Sequence, residues 1–320
     1  MILILTDIDE PSTDFVIDWL QFYGKKFVRL SLQNSVEIMT IYQHNGQLEC
    51  LFNFKQDGRT STLDTKDISS YWYRRSQWRV RYDTVNGTSE IKGDVALNDF
   101  LQVENLSALS ILEHILDNKK HINRHSDNNI IKLVVLQYAT ELGIRVPAFV
   151  VCSDKPTLVD FYNKYNGDII TKPIGDPRSF FNYGYHTFTS KIDLDRIPDS
   201  FGISLFQEMI KKMVELRVYY LQGRFYGSAI FSQSNEQTKV DFKNYSDTRP
   251  NRVVPFELPG SVQKKLIALM HKLDINSGSI DMVLTPEGEY VFLEVNPVGQ
   301  FEQVSVPCHY NLFKTIAETL

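Results

Sequence analysis

One stretch constrains this chain more than any other: Gly278-Ser-Ile-Asp281-Met-Val-Leu-Thr-Pro-Glu-Gly-Glu-Tyr-Val-Phe-Leu-Glu294-Val-Asn296-Pro297. Two runs rich in strand-forming residues flank Pro286-Glu287-Gly288-Glu289, the pattern of a hairpin. A symmetric turn centred between Glu287 and Gly288 sets Asp281 directly opposite Glu294, whatever even number of residues the loop holds. Side chains alternate along a strand, so Glu294 and Asn296 share a face and Asp281 joins them. The other positions are apolar on both faces: Ile280, Met282, Leu284, Val291, Leu293 and Val295 on one, Val283, Tyr290 and Phe292 on the other. Such a hairpin is buried, and carboxylates facing each other inside it repel and lose hydration unless a cation lies between them. Hard oxygen donors, few in number, suit Mg²⁺ shared with the phosphates of a substrate. A solvated strand end is the alternative reading.

The rest of the chain reads as lobes of mixed α/β structure. Its 320 residues suffice for two or three, each with a core. Met1–Thr6 is an apolar strand with neither the basic start nor the long apolar stretch of a signal peptide, and no apolar run could span a membrane. The expected location is cytoplasmic, with no membrane partner. A helix capped by Ser12 or Thr13 follows, with Phe15, Ile17, Trp19, Leu20 and Tyr23 supplying its apolar stripe and Gly24 ending it. Strands are expected at 27–32, 36–42 and 47–54, and a long helix over 96–117. Asn123–Asn129 reads as a linker in which Asp127 caps a helix ending at Gly143. Strands at 148–152 and 168–173 with a helix between them complete a central lobe. From Leu205 onward strands dominate. The expected division is 1–122, 123–204 and 205–320.

Net charge is −5, so nucleic acid is not the expected partner. Cys50, Cys152 and Cys308 are too scattered for a disulfide framework or a thiolate zinc site and read as buried thiols. His114, His121 and His125 lie in a polar segment that makes a poor metal site.

If Mg²⁺ binds at the hairpin, a nucleotide is its natural companion. Neither GxxxxGK[ST] nor a GxGxxG opening a helix occurs, so other groups must hold the phosphates. Lys172 lies inside the apolar run Ile169-Ile-Thr-Lys-Pro-Ile174, where a charge needs an anionic partner. Lys132 is at the start of a helix, where an exposed surface lysine is the competing reading. Glu215 and Arg217 share a strand face and read equally as a salt bridge or as part of a site.

The order of these elements resembles the ATP-grasp superfamily: lysine, lysine, the strand-end Glu208, Glu215-x-Arg217, then Asp281 and Glu294-x-Asn296. The resemblance is clear over about residues 123–305. It implies an α/β, three-lobed ATP-grasp fold with the nucleotide between the central and C-terminal lobes. It assigns Lys132 and Lys172 to the phosphates of ATP and Glu208, Met209 and Ile210 to the adenine. Glu215 falls to the ribose, Arg217 to the γ-phosphate and nascent acyl phosphate, and Asp281, Glu294 and Asn296 to Mg²⁺. Lys172 and Arg217 are the implied catalytic pair. Phosphoryl transfer asks for such positioning and charge neutralisation.

In the first lobe, Tyr71-Trp-Tyr-Arg74-Arg75-Ser-Gln-Trp78-Arg79-Val-Arg81 interleaves aromatics and arginines. An arginine there can clamp a carboxylate bidentately, with a cation–π-decorated strand as the alternative. With Phe292–Phe301, this segment is similar to the microviridin-type and grasp-with-spasm ligases that crosslink ribosomally made peptides. The resemblance implies activation of Asp or Glu side chains of a precursor peptide, leader and core, by ATP. Ring closure by a hydroxyl or amine then follows. Arg74, Arg75 and Lys243 become the candidates for gripping the substrate. Relatives carry Asp-Trp-Arg where this chain has Asp241-Phe242-Lys243, which keeps the charge but loses the planar fork. A ligase adding an amino acid to a small acid or protein C-terminus, and a non-catalytic nucleotide-binding regulator, are the rival readings. The oligomeric state, homodimer included, is left open.

Overall fold

The computed structural model describes residues 1–80, 95–175, 179–180, 185–187, 189–232 and 251–320, with the backbone alone at 179–180 and 185–186. Two compact units form: Met1–Asn128 with Asn311–Leu320, and Asn129–Tyr310.

The first unit starts on β1 (Ile2–Thr6), an apolar strand buried along its whole length. Helix α1 (Pro11–Phe22) follows, and here the expected cap is corrected. Proline takes the first helical position, where its missing N–H goes unneeded, so Glu10 becomes the capping residue and makes no side-chain cap bond. Ser12 and Thr13 fall inside the helix and are buried, while Phe15 of the expected stripe is exposed and meets Phe313 at 5.1 Å. Gly24 ends the segment at φ +64°, as its position requires. Then come β2 (Phe27–Leu30), β3 (Ser35–His44), β4 (Gln47–Gln56), β5 (Arg59–Asp64), β6 (Ser70–Arg74), β7 (Arg79–Val80), α2 (Val95–Asp117) and β8 (Lys120–Ile122). Strands β2-β1-β6-β8 form a parallel sheet, and β5-β4-β3-β7 a second sheet. The C-terminal helix Leu312–Thr319 belongs to this unit, although the sequence reading ran the last lobe to 320. Its Leu312, Ile316 and Ala317 are buried, and Lys25 Nζ donates to the Ala317 carbonyl at 2.8 Å.

The second unit begins with α3 (Lys132–Glu141). Asp127 does not cap it. Its carboxylate accepts from the Arg124 backbone N–H at 2.9 Å and from Arg124 Nε at 3.0 Å, and so is committed to the turn before the helix. Gly143 closes α3 at φ +68°. Next are β9 (Phe149–Asp154), α4 (Lys155–Lys164), capped by Asp154, and β10 (Ile169–Lys172). The short β11 (Ser179–Phe180), β12 (Tyr185–His186) and β13 (Ser190–Lys191) lead to the long β14 (Ser200–Glu208). Strands β13-β10-β14-β9 form one antiparallel sheet, whose Cys152, Ile169 and Phe206 pack with Leu158 of α4.

The remaining elements are β15 (Val214–Leu221), β16 (Arg224–Phe231), β17 (Arg252–Phe256), α5 (Gly260–Lys272), β18 (Ser277–Leu284), β19 (Tyr290–Asn296) and α6 (Glu302–Cys308), with the C-terminal helix as α7. Strands β17-β16-β15-β18-β19 make an antiparallel sheet with β15 at its centre. Leu216, Val218, Ile280, Met282, Phe292 and Val295 on one face share a core with Val135 and Leu136 of α3 and Leu266 and Leu269 of α5. The opposite face carries the site. A Cβ at Gly227 would overlap the Phe256 carbonyl on the neighbouring strand. Gly227→Ala is therefore expected to lower stability by about 1–3 kcal/mol, read as a shift in the urea midpoint.

Candidate active site

The hairpin brings the expected carboxylates together by a route the sequence reading did not foresee. Pairs Ser279↔Asn296, Ile280↔Val295 and Asp281↔Glu294 give way to Met282↔Phe292, Val283↔Val291 and Leu284↔Tyr290. One residue, Leu293, is extra. The loop between the strands, Thr285–Glu289, is odd in length, closed by Thr285 N–H to Glu289 O at 3.0 Å and turned at Gly288 with φ +85°. A β-bulge at Leu293 then restores the opposition of Asp281 and Glu294. The symmetric even turn is thus corrected. The bulge also moves Phe292 onto the core face with Val295, off the face where simple alternation put it beside Glu294.

On its other side Asp281 pairs with Arg217 of β15, so Arg217, Asp281 and Glu294 form a row across three adjacent strands. Asp281 is 3% exposed and Arg217 6%, with Arg217 Nε 3.9 Å from Asp281 Oδ1. Asn296 Nδ2 donates to Glu294 Oε1 at 3.3 Å. Lys132 comes from α3 to place Nζ 3.7 Å from Glu294 Oε2, and donates to the Gly175 carbonyl at 3.4 Å. Glu215, two residues before Arg217, is buried, ion-paired with Lys212, and accepts from Ser232 Oγ at 2.6 Å. Sequence reasoning missed Lys212 and Ser232. Lys212 lies three residues from Glu215 across the chain's bend into β15, beyond any strand periodicity.

The donor set fits Mg²⁺. Two carboxylates and one amide oxygen lie on one sheet face, and an ion of this kind takes few protein ligands and leaves positions for phosphate. Among the described residues no three His, Cys, Asp or Glu side chains converge as a self-sufficient metal cage.

The sheet β13-β10-β14-β9 carries the other expected residues. Register places Lys172, Ile170, Leu205 and Gln207 on one face of β10 and β14, opposite the face of Ile169 and Phe206. Gln207 was not singled out from the sequence, though alternation from Leu205 and its polarity within an apolar strand mark it. It is 1% exposed, and its Nε2 has no hydrogen-bond partner among the described residues. Glu208 lies on the other face, where its carboxylate accepts from the Ala148 N–H at 3.1 Å and is 3.6 Å from Arg145 Nη2. Met209 and Ile210 follow in the segment leading to β15, with Met209 N–H bonded to the Asp168 carbonyl at 2.9 Å. A cavity of about 280 Å³ adjoins this segment, lined by Arg145, Lys164, Tyr165, Asp168, Glu208 and Glu287 among others. Met209 and Ile210 also line it, whereas Lys132, Lys172 and the acidic row do not.

In the first unit the two arginines part. Arg74 is 2% exposed, with Nη2 donating to Glu10 Oε1 at 3.0 Å and Ser12 Oγ at 3.3 Å. Arg75 is exposed and has φ +53°. His125 Nδ1 is 3.2 Å from Glu113, and His121 Nδ1 is within bonding distance of the Lys119 carbonyl at 2.9 Å. Lys243 lies outside the described residues. The three cysteines are free and buried, and burial pushes the Cys50 thiol up to about 11. No helix among the described residues is long and apolar enough to cross a membrane.

With the two sheets and the acidic row in place, the architecture is the ATP-grasp fold. Among the solved structures that match nearly end to end are the following three. The macrocyclase MdnC of Microcystis aeruginosa MRC, bound with precursor peptide MdnA, is 23% identical with a TM-score of 0.72, covering 100% of this chain and 99% of that one. A RiPP-associated ATP-grasp ligase of Chryseobacterium gregarium, in complex with ADP and a leader and core peptide, is 22% identical at TM-score 0.78, covering 100% and 96%. The ATP-grasp ligase PsnB, complexed with minimal precursor, Mg and ADP, is 13% identical at TM-score 0.68, covering 99% and 95%. No protein-family model matches the sequence, and no curated protein matches it either.

Proposed function

We propose that this chain is an ATP-dependent ligase that activates Asp or Glu side chains of a ribosomally made precursor peptide, leader and core, and closes ester or amide rings. The observation that carries this reading is the row Arg217–Asp281–Glu294, its first two members buried, with Lys132 against its end. Bound Mg²⁺ would neutralise phosphate charge during transfer. Asp281, Glu294 and Asn296 would hold it. Lys132 and Lys172 hold the phosphates, Met209 and Ile210 with the Gln207 amide meet the base, and Glu215, oriented by Lys212 and Ser232, meets the ribose. Glu208 serves this segment by anchoring Ala148, not through its carboxylate touching the base. Arg217 stabilises charge on the transferring group. Arg75, with Lys243, grips the peptide. The nucleotide lies between the central sheet, whose β14 runs on to Glu208, past the boundary at 204 that the sequence suggests, and the sheet of β15 to β19.

A peptide carboxylate oxygen attacks the γ-phosphorus and the bond to ADP breaks, leaving an acyl phosphate. A Ser or Thr hydroxyl or Lys amine then attacks the acyl carbon, phosphate departs, and the nucleophile's proton is released. Each ring therefore removes one water from the peptide and yields one ADP and one phosphate. The test is product analysis with a Thr/Ser- and Asp/Glu-rich candidate precursor peptide, by mass spectrometry and nucleotide chromatography. Stoichiometric AMP and pyrophosphate, or no mass loss from the peptide, would overturn the reading.

A further inference from the structure

We infer that Lys132 is the resident counter-charge of Glu294, so that the divalent cation enters this site together with nucleotide phosphates and not ahead of them. The inference rests on the ligase reading and adds the order in which the site is loaded. Each carboxylate of the acidic pair already faces a cation: Lys132 Nζ is 3.7 Å from Glu294 Oε2, and Arg217 Nε is 3.9 Å from Asp281 Oδ1. These four side chains sum to zero formal charge. A lone divalent cation would leave the group with net positive charge where burial weakens screening.

The two cations differ in freedom. Arg217 is inside a central strand and its side chain is 8% exposed, whereas Lys132 opens α3 and its side chain is 24% exposed. Arg217 is fixed and Lys132 can turn. Phosphates arriving beside Glu294 offer Lys132 a stronger anionic acceptor, which frees the carboxylate to coordinate the cation. Lys132 thereby couples the two ligands: it opposes the cation alone and favours the nucleotide.

The coupling predicts effects of opposite sign from one substitution. Mn²⁺ binding to the full chain is followed by electron paramagnetic resonance, with and without a non-hydrolysable ATP analogue. In the wild type the analogue should strengthen Mn²⁺ binding at least about tenfold, within the usual range of coupling between sites. Lys132→Met and Lys132→Gln should each tighten nucleotide-free Mn²⁺ binding about tenfold while weakening the analogue, and Lys132→Arg should keep the wild-type Mn²⁺ affinity. Thermal melts check that all variants are folded. A simple fastening role for the Lys132–Glu294 pair would shift the melt and leave Mn²⁺ affinity alone. Nucleotide-free affinities in Lys132→Met and Lys132→Gln no tighter than wild type would overturn the inference. A wild type whose Mn²⁺ binding ignores the analogue would instead overturn the ligase reading beneath it.

Discussion

Glu294→Gln is expected to lower ATP turnover about a thousandfold while the protein melts as the wild type does. The substitution keeps volume and removes the charge of one of the two carboxylates proposed to hold Mg²⁺. Losing several kcal/mol of charge stabilisation at the transferring phosphate corresponds to roughly a thousandfold, since each factor of ten takes about 1.4 kcal/mol. The fold should tolerate the change, because Lys132 keeps its bond to the Gly175 carbonyl. Asp281→Asn is expected to be equally inactive but less stable. Its partner Arg217 is 6% exposed, and a buried cation deprived of its anion destabilises by about 3–5 kcal/mol. ADP release in a coupled assay and a thermal melt separate the two. Full turnover by Glu294→Gln at ordinary Mg²⁺ would remove the metal role from this residue.

Much of the site was legible because strand periodicity is short and rigid. Glu215 with Arg217, and Glu294 with Asn296, share faces by alternation alone. Asp281 opposite Glu294 was legible as a pair, yet for the wrong reason: an odd loop and the bulge at Leu293 compensate each other, and no local signal announces a bulge. The face of Phe292 was misjudged for that same cause. Helix ends were legible where conformation forces the residue, as at Gly24 and Gly143. They were misread where a polar side chain had a competing partner, as Asp127 had in Arg124. What sequence could not carry was the meeting of distant elements. Nothing near Lys132 announces Glu294, and nothing near Leu312 announces a return to the first unit.

Arg74→Ala and Arg75→Ala are expected to fail in different ways, although the two residues are neighbours. Arg74 is the last residue of the fully buried strand β6, and Arg75 follows outside the strand, exposed. Arg74→Ala takes the principal cation from the half-buried Glu10, which should destabilise by about 1.5–3 kcal/mol. Burial works to raise the Glu10 carboxyl, but Arg74 and the Ser12 hydroxyl outweigh it and hold the group below its ordinary value. The pair's contribution is therefore complete above the ordinary carboxylate range and lost as pH falls through the lowered value. Arg74→Ala should lack that acid-side loss. Arg75 is exposed and held at φ +53°, a left-handed conformation that costs a residue with a Cβ about 1 kcal/mol. Arg75→Gly should accordingly be slightly more stable than wild type, and Arg75→Ala within about 0.5 kcal/mol of it. If Arg75 clamps the peptide carboxylate, both should lower crosslinking by roughly ten- to a hundredfold, the equivalent of about 1.5–3 kcal/mol for a charge-assisted contact. Their affinity for ATP should stay near wild type. Urea melts across pH, nucleotide titration and counting of water losses from the precursor read each effect independently. Wild-type ring formation by Arg75→Ala, or an Arg74→Ala protein as stable as the parent, would reverse the roles assigned to the pair.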